Sequence, residues 1–178
     1  MSQAPIRGER LAQGMIQDLL LYSDGTTTRM IEILVHQQVE IHVFRHSLLS
    51  FSELPDHVPF TSEGPFLKRL SSLMLNGRYL SYNVVYADMS CMPDYIANEL
   101  RAKRFPIGKI IHEYDTRREF VELTTVTSEE MDDFHEIVPL SSTMYPKKGY
   151  HILHQGKPLF HVIEYFDLPN LMHFHLRD

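Results

Sequence analysis

An α+β domain built on a single antiparallel sheet of roughly six strands is the architecture this sequence predicts. Two observations carry most of the weight. Apolar and polar residues alternate on both sides of Asn76-Gly77 and again on both sides of Gln155-Gly156-Lys157-Pro158, the pattern of two β-hairpins. Helical spacing, by contrast, is confined to the start and the middle of the chain.

In chain order, residues 1–10 carry Pro5 and Gly8 and no periodicity, and read as a flexible arm. Leu11, Met15, Ile16, Leu19 and Leu20 then recur at helical spacing, and Asp24-Gly25 ends that helix. Thr26, Thr27 and Thr28 can cap a second helix running through Met30, Ile31 and Leu34. From Val39 the period drops to two, with Val39, Ile41 and Val43 on one side and Glu40, His42 and Phe44 on the other. Leu54 to Pro65, with three prolines and Gly64, is a long loop. Phe66 to Met89 forms the first hairpin. A helix starts at Pro93 and ends before Phe105-Pro106-Ile107-Gly108, where Pro106 disfavours helical geometry at Phe105 and Gly108 permits close backbone approach. Ile110 to Thr125 contains strand material, with Arg117-Arg118-Glu119 as a bend or exposed section. Thr127 to Pro139 is an acidic solvated connection or short helix. The closing hairpin follows, and Leu171 to Leu176 can add a last strand.

At 178 residues the chain amounts to one domain, 1–178, able to bury roughly 70% of its unfolded surface. Its 43% hydrophobic and 22% charged residues are those of a globular protein. The net charge of −6 argues against a nucleic-acid surface but not against a small anion, which one buried arginine can hold. Cys91 is the only cysteine, which removes a disulfide framework and suits a reducing compartment. No apolar run reaches the ~18 residues of a membrane span, and the start lacks a signal-peptide pattern, so the expected location is cytoplasmic. The 11 histidines scatter over both strand faces without a His-Glu-x-x-His helix, and no metal is expected. Cys91 has no nucleophile motif around it, and neither a Gly-x-Ser-x-Gly elbow nor a Gly-rich phosphate loop occurs.

Two charged residues stand out by position. On the last strand Leu159, His161, Ile163 and Tyr165 point one way, while Phe160, Val162, Glu164 and Phe166 point the other, so a carboxylate shares a face with three apolar side chains. Likewise Arg69 sits in the row Leu67, Ser71, Leu73, Leu75. An unpaired buried charge is costly, so each must be wet, paired or at a pocket.

The ordered segments Leu20-Leu-Tyr-Ser-Asp-Gly-Thr-Thr-Thr-Arg-Met-Ile-Glu32, Arg69 before Asn76-Gly77, Phe105-Pro-Ile-Gly108, Arg118-Glu-Phe-Val-Glu-Leu123 and Gly156-Lys-Pro-Leu-Phe-His-Val-Ile-Glu164 resemble the chorismate pyruvate-lyase family, its less characterised branch included. The resemblance implies one antiparallel sheet with a ligand site enclosed beneath helical flaps. It also implies cofactor-free conversion of chorismate to 4-hydroxybenzoate and pyruvate. It puts the carboxylate-binding arginine at Arg69, the acidic residue of the ring hydroxyl at Glu164, and backbone donors at Ile107 and Gly108. Thr27 takes the place of a flap methionine, the main departure, which puts the pocket wall and the substrate in question. The expected partner is a small aromatic or pre-aromatic carboxylate. Ligand-sensing domains of winged-helix transcription regulators share this general fold, so a non-catalytic small-molecule-binding domain is the alternative expectation.

Overall fold

The computed structural model describes residues 7–175. Helix α1 (Arg7–Tyr22) and helix α2 (Thr27–Leu34) precede strand β1 (Glu40–Leu49). Strands β2 (Phe66–Leu75) and β3 (Arg78–Asp88) form the first hairpin. They are followed by α3 (Asp94–Ala102), the single turn α4 (Ile107–Ile110), β4 (Thr116–Thr127), β5 (Met144–His154), β6 (Lys157–Phe166) and α5 (Leu168–His175). The six strands make one antiparallel sheet in the order β1-β2-β3-β6-β5-β4. No described helix is long and apolar enough to cross a membrane.

Both hairpins turn on two residues with positive φ. Asn76 and Gly77 have φ of 49° and 77°, and Gln155 and Gly156 have 51° and 76°. This sign at both central positions matches the right-handed twist of the flanking strands and favours Asn and Gly. The closing turn is therefore Gln155-Gly156 alone, with Lys157 and Pro158 already in β6.

Four expectations need correction. Residues 7–10 belong to α1 rather than to an arm, while residues 1–6 lie outside the described residues. Arg117, Arg118 and Glu119 do not bend but lie inside a continuous β4, paired with Leu153, Ile152 and His151, with Arg117 and Glu119 exposed as expected. The acidic Thr127–Pro139 segment does hold a short 3-10 helix, Ser128–Glu130, but it is not merely solvated, because Met131, Phe134 and Val138 in it are buried against the sheet. Residues 171–175 are helical, and Leu176 is outside the described residues. The alternation there suggested a strand, but Asp167 accepts from Asn170 N at its side chain and from Leu171 N at its carbonyl, and Pro169 sits in the first turn. That is a helix start.

The sheet has two differently covered faces. On one, α1, α2 and α5 pack Ile16, Leu20, Leu21, Ile31, Leu171 and Met172 over Leu73, Leu80 and Phe166. On the same face α3 and α4 pack Ile96, Leu100 and Ile110 over Leu67, Val85, Ile152 and Phe160. Of the residues whose spacing predicted α1, Ile16 and Leu20 are in this core, whereas Leu11, Met15 and Leu19 are exposed. On the opposite face the 54–65 and 127–140 segments cover Leu70, Tyr82, Val84 and Tyr145.

Candidate functional site

Between the two apolar clusters of the helical face runs a polar row. The strand register aligns Ser71 of β2, Asn83 of β3, Glu164 of β6 and Lys148 of β5 across four neighbouring strands. All four are buried. The adjacent row on the same face holds Arg69, Val85, Val162 and Tyr150. Arg69 and Glu164 therefore share a face, two strands and one alternation step apart, about 12 Å between Cα atoms from strand spacing and rise.

Glu164 is 7% exposed and accepts a 2.7 Å hydrogen bond from Thr27 Oγ1 at the start of α2. Burial pushes its carboxyl upward, and Lys148, the Thr27 hydroxyl, Arg118 and Tyr150 hold that rise back. Lys148 is fully buried, donates to Leu20 O and Ser23 O, and is drawn downward by desolvation. Its ammonium thus ties the end of α1 to the sheet beside the carboxylate. Burial raises the Tyr150 phenol well above its ordinary range, with Glu164 adding to the rise.

Arg69 is wholly buried. Its Nη2 donates to Phe105 O at 2.9 Å, while Nε and Nη1 have no partner. Among the described residues no carboxylate pairs with it, and desolvation brings it down to about 10, so it stays charged at neutral pH. Arg118 donates from Nη1 to Asp24 O, leaves Nε buried and unpartnered, and lies 5.9 Å from the Tyr150 ring centre.

Glu164, Tyr150 and Arg118, with Thr27, Asn83, Ile107 and Gly108 among others, line a cavity of about 30 Å³. That is room for about one water, whereas a benzene-sized ligand needs a void nearer ~150 Å³. The helices above it are closed. A Cβ on Gly108 would collide with Thr26 Cγ2, so glycine is what lets α4 lie against the start of α2. Lys109 of α4 bridges to Glu32 of α2 at 2.7 Å. Outside this closure a second cavity of about 550 Å³ shares Thr26, Thr28 and Gly108 with the first.

Of the residues singled out from sequence, Thr27, Ile107, Gly108 and Glu164 line the enclosed cavity. Ile107 and Gly108 form the first turn of α4, where amides lack intrahelical acceptors. Arg69 stands one row away, holding the Phe105–Ile107 approach to α4 rather than lining the void. The Thr27 hydroxyl serves Glu164, and Thr26 is the N-cap of α2 without a side-chain cap bond. Sequence reasoning gave no role to Arg118, Lys148, Tyr150, Asn83 or Ser71. Lys148 carried a readable signal, a lysine in the strand row of Tyr150 and Ile152. Among the described residues, no group of three or more His, Cys, Asp or Glu side chains is placed to hold a metal ion.

Comparison with known proteins bears on this geometry. The family model for chorismate pyruvate-lyase Rv2949c-like proteins matches residues 21–175. Among curated proteins, none matches the chain. Similar solved structures include the effector domain of PhnF from Mycobacterium smegmatis, at TM-score 0.60 and 12% identity, over 82% of this chain and 90% of that one. A structure of PhnF from Mycobacterium smegmatis gives TM-score 0.59 at 12% identity, again over 82% of this chain but 64% of that one. The C-terminal domain of YurK from Bacillus subtilis subsp. subtilis str. 168 gives TM-score 0.52 at 13% identity, over 70% of this chain and 87% of that one. At such identities the likeness is one of fold.

Proposed function

The chain belongs to the chorismate pyruvate-lyase Rv2949c-like family, and from that premise we propose that it eliminates pyruvate from chorismate to give 4-hydroxybenzoate. The observation that carries the reading is a buried arginine with unspent donors, Arg69, on the same sheet face as a buried carboxyl, Glu164, with closed helices above both.

The chemistry needs little else. The ether bond between the ring and the enolpyruvyl oxygen breaks, and its electron pair leaves with enolpyruvate. The hydrogen on the neighbouring ring carbon departs as a proton, and the ring becomes aromatic. Enolpyruvate then takes up a proton at carbon and becomes pyruvate. Aromatisation drives the step, so the protein's task is to bind a dianion away from water and to move one proton. Arg69 offers the ring carboxylate a charged fork. A carboxylate whose affinity for protons is raised by burial is a stronger base, and Glu164 is the acceptor placed in the row. The first-turn amides of Ile107 and Gly108 supply neutral donors at the cavity wall.

Site charge supports a dianionic substrate. Arg69 and Lys148 in the two rows, with Arg118 of β4 at the cavity wall, are three cations against the single acid Glu164. The closed cavity means that α2 and α4 must part to admit the ring and shut again afterwards.

Incubating the purified protein with chorismate, and following 4-hydroxybenzoate by absorbance and pyruvate by a coupled assay, tests this directly. Equal amounts of both products are expected, with Glu164→Gln slower by about 10²–10⁴-fold. A rate no higher than that of Glu164→Gln would overturn it. The likeness to the PhnF effector domain motivates the second reading, a domain that binds a small anion without converting it. Saturable binding of 4-hydroxybenzoate, lost in Arg69→Met, with no pyruvate released from chorismate, would decide for that reading.

A further inference from the structure

The face of the sheet turned away from Glu164 carries another polar row. Lys68, Tyr86, His161, His151 and Glu119 pair in sequence across five strands. At its centre His161 is 2% exposed, and neither ring nitrogen has a partner; His151 Nε2 is also buried and unpartnered. His57, from the 54–65 loop, brings its ring to 5.2 Å from that of His161, and His151 lies at 5.0 Å. Burial lowers His161 to about 3, so its imidazole is neutral at physiological pH and offers one N–H and one lone pair. Buried polar groups are nearly always satisfied, and two open positions on one ring call for an occupant.

A cavity of about 380 Å³ lies against this row. Tyr86, His161, Ile163 and Tyr165 make its inner wall, the two tyrosines and the histidine being buried. Its outer wall carries Glu122, Glu130, Asp132 and Asp133 against Lys147. Lys147 pairs with Glu122 and Lys68 with Asp133, and Glu130 spends Oε2 on the Thr127 amide and hydroxyl, which leaves Asp132 and the second oxygen of Glu130 without a lysine partner among the described residues. Three neighbouring imidazoles would suggest a transition metal. However, no three ligating side chains converge here, so the open positions suit a molecule rather than an ion.

We propose that this cavity is a second binding site, distinct from the Glu164 site, for a small aromatic amine. The ammonium is held at the Asp132–Glu130 rim, the ring lies against Tyr86 and Tyr165, and a hydroxyl on the ring meets His161. The aromatic inner wall favours a planar apolar body, and the negative rim selects a cation over an anion. The neutral imidazole satisfies a hydroxyl, which is both donor and acceptor. This site and the cationic row on the opposite face would thus take ligands of opposite charge.

The test uses the full chain with tyramine as probe and 3-(4-hydroxyphenyl)propanoate as its charge-reversed counterpart. Imidazole nitrogen shifts are read by NMR and affinity by calorimetry. Tyramine is expected to shift the His161 ring and bind with a submillimolar Kd, weakened at least about tenfold in His161→Phe and several-fold in Asp132→Asn. The propanoate should leave the His161 ring unmoved, and this comparison is made on the unaltered protein, so it stands even if a variant misfolds. The proposal is overturned by a His161 ring unmoved at about 10 mM tyramine, by equal shifts from both compounds, or by undiminished affinity in a folded His161→Phe variant. None of these outcomes touches the chorismate assay, so the two readings fail separately.

Discussion

Arg69→Met separates binding from stability. The side chain is fully buried, makes one hydrogen bond, and has no carboxylate partner among the described residues. Desolvation lowers it from 12.5 to about 10, which corresponds to a cost on the order of 3 kcal/mol for keeping it charged. Methionine has similar length, fills the space, and removes the unsatisfied N–H groups along with the charge. Replacing a buried charge by a well-packed apolar residue is commonly neutral or stabilising by about 1–4 kcal/mol. The lost bond to Phe105 O offsets roughly 1–3 kcal/mol of that. The net expectation is unchanged to modestly greater stability, a rise in Tm of up to several degrees at about 2–4 °C per kcal/mol. Binding should move the other way. Truncating one partner of a buried carboxylate–arginine pair costs about 2–5 kcal/mol, so kcat/KM for chorismate should fall by about 30- to 5,000-fold. Differential scanning calorimetry on the free protein and steady-state kinetics read the two halves. If Arg69→Met loses stability yet retains its kcat/KM, the guanidinium is a structural group and its place in the site is wrong.

Other expectations test neighbouring groups. Thr27→Val removes the 2.7 Å bond to Glu164, a contact that holds the carboxyl down, so the acid limb of the kcat–pH profile should move upward by about one pH unit. An unmoved limb would show that Glu164 is not the titrating base. Arg118→Gln keeps polarity but removes one of the site's cations, and should raise KM for dianionic chorismate more than it raises the inhibition constant of monoanionic 4-hydroxybenzoate; equal effects would deny it a carboxylate. His161 titrates near 3 when folded and near 6.5 when unfolded, so the unfolded chain binds the extra proton between those values. Its contribution is complete above pH 6.5 and falls by about 1.4 kcal/mol per unit below it, and urea unfolding of His161→Phe should show a shallower loss between pH 6.5 and 4.5. Parallel curves for variant and parent would mean that the ring is protonated inside the fold.

What could be read from the chain follows from where the determining interactions lie. Glu164 and Arg69 were legible because a charge breaking an apolar two-residue period is a local anomaly, and β-register is fixed by turns that Asn76-Gly77 and Gln155-Gly156 announce. From its own pattern Thr27 read as a helix-start residue and from the resemblance as part of the pocket wall, but its bond to Glu164 was not legible, because that acceptor lies 137 residues away. A cap and a site ligand look alike in sequence, and the choice is made by the partner. The same limit explains the last element. Leu171, His173 and His175 alternate as a strand would, but the Asp167 cap and Pro169 set the backbone before side-chain period matters. Lys148 shows both sides of the argument at once. Its place in the apolar row of Tyr150 and Ile152 made it as anomalous as Glu164, yet its two acceptors are carbonyls of Leu20 and Ser23, more than 120 residues earlier. An ammonium held by α1 on one side and facing the Glu164 charge on the other couples the seating of the N-terminal helices to the charge state of the row. Protonating Glu164 then removes an attraction that helps keep Lys148, and with it the end of α1, in place. A base that accepts the substrate's proton would by the same act weaken one of the ties beneath the closed helices.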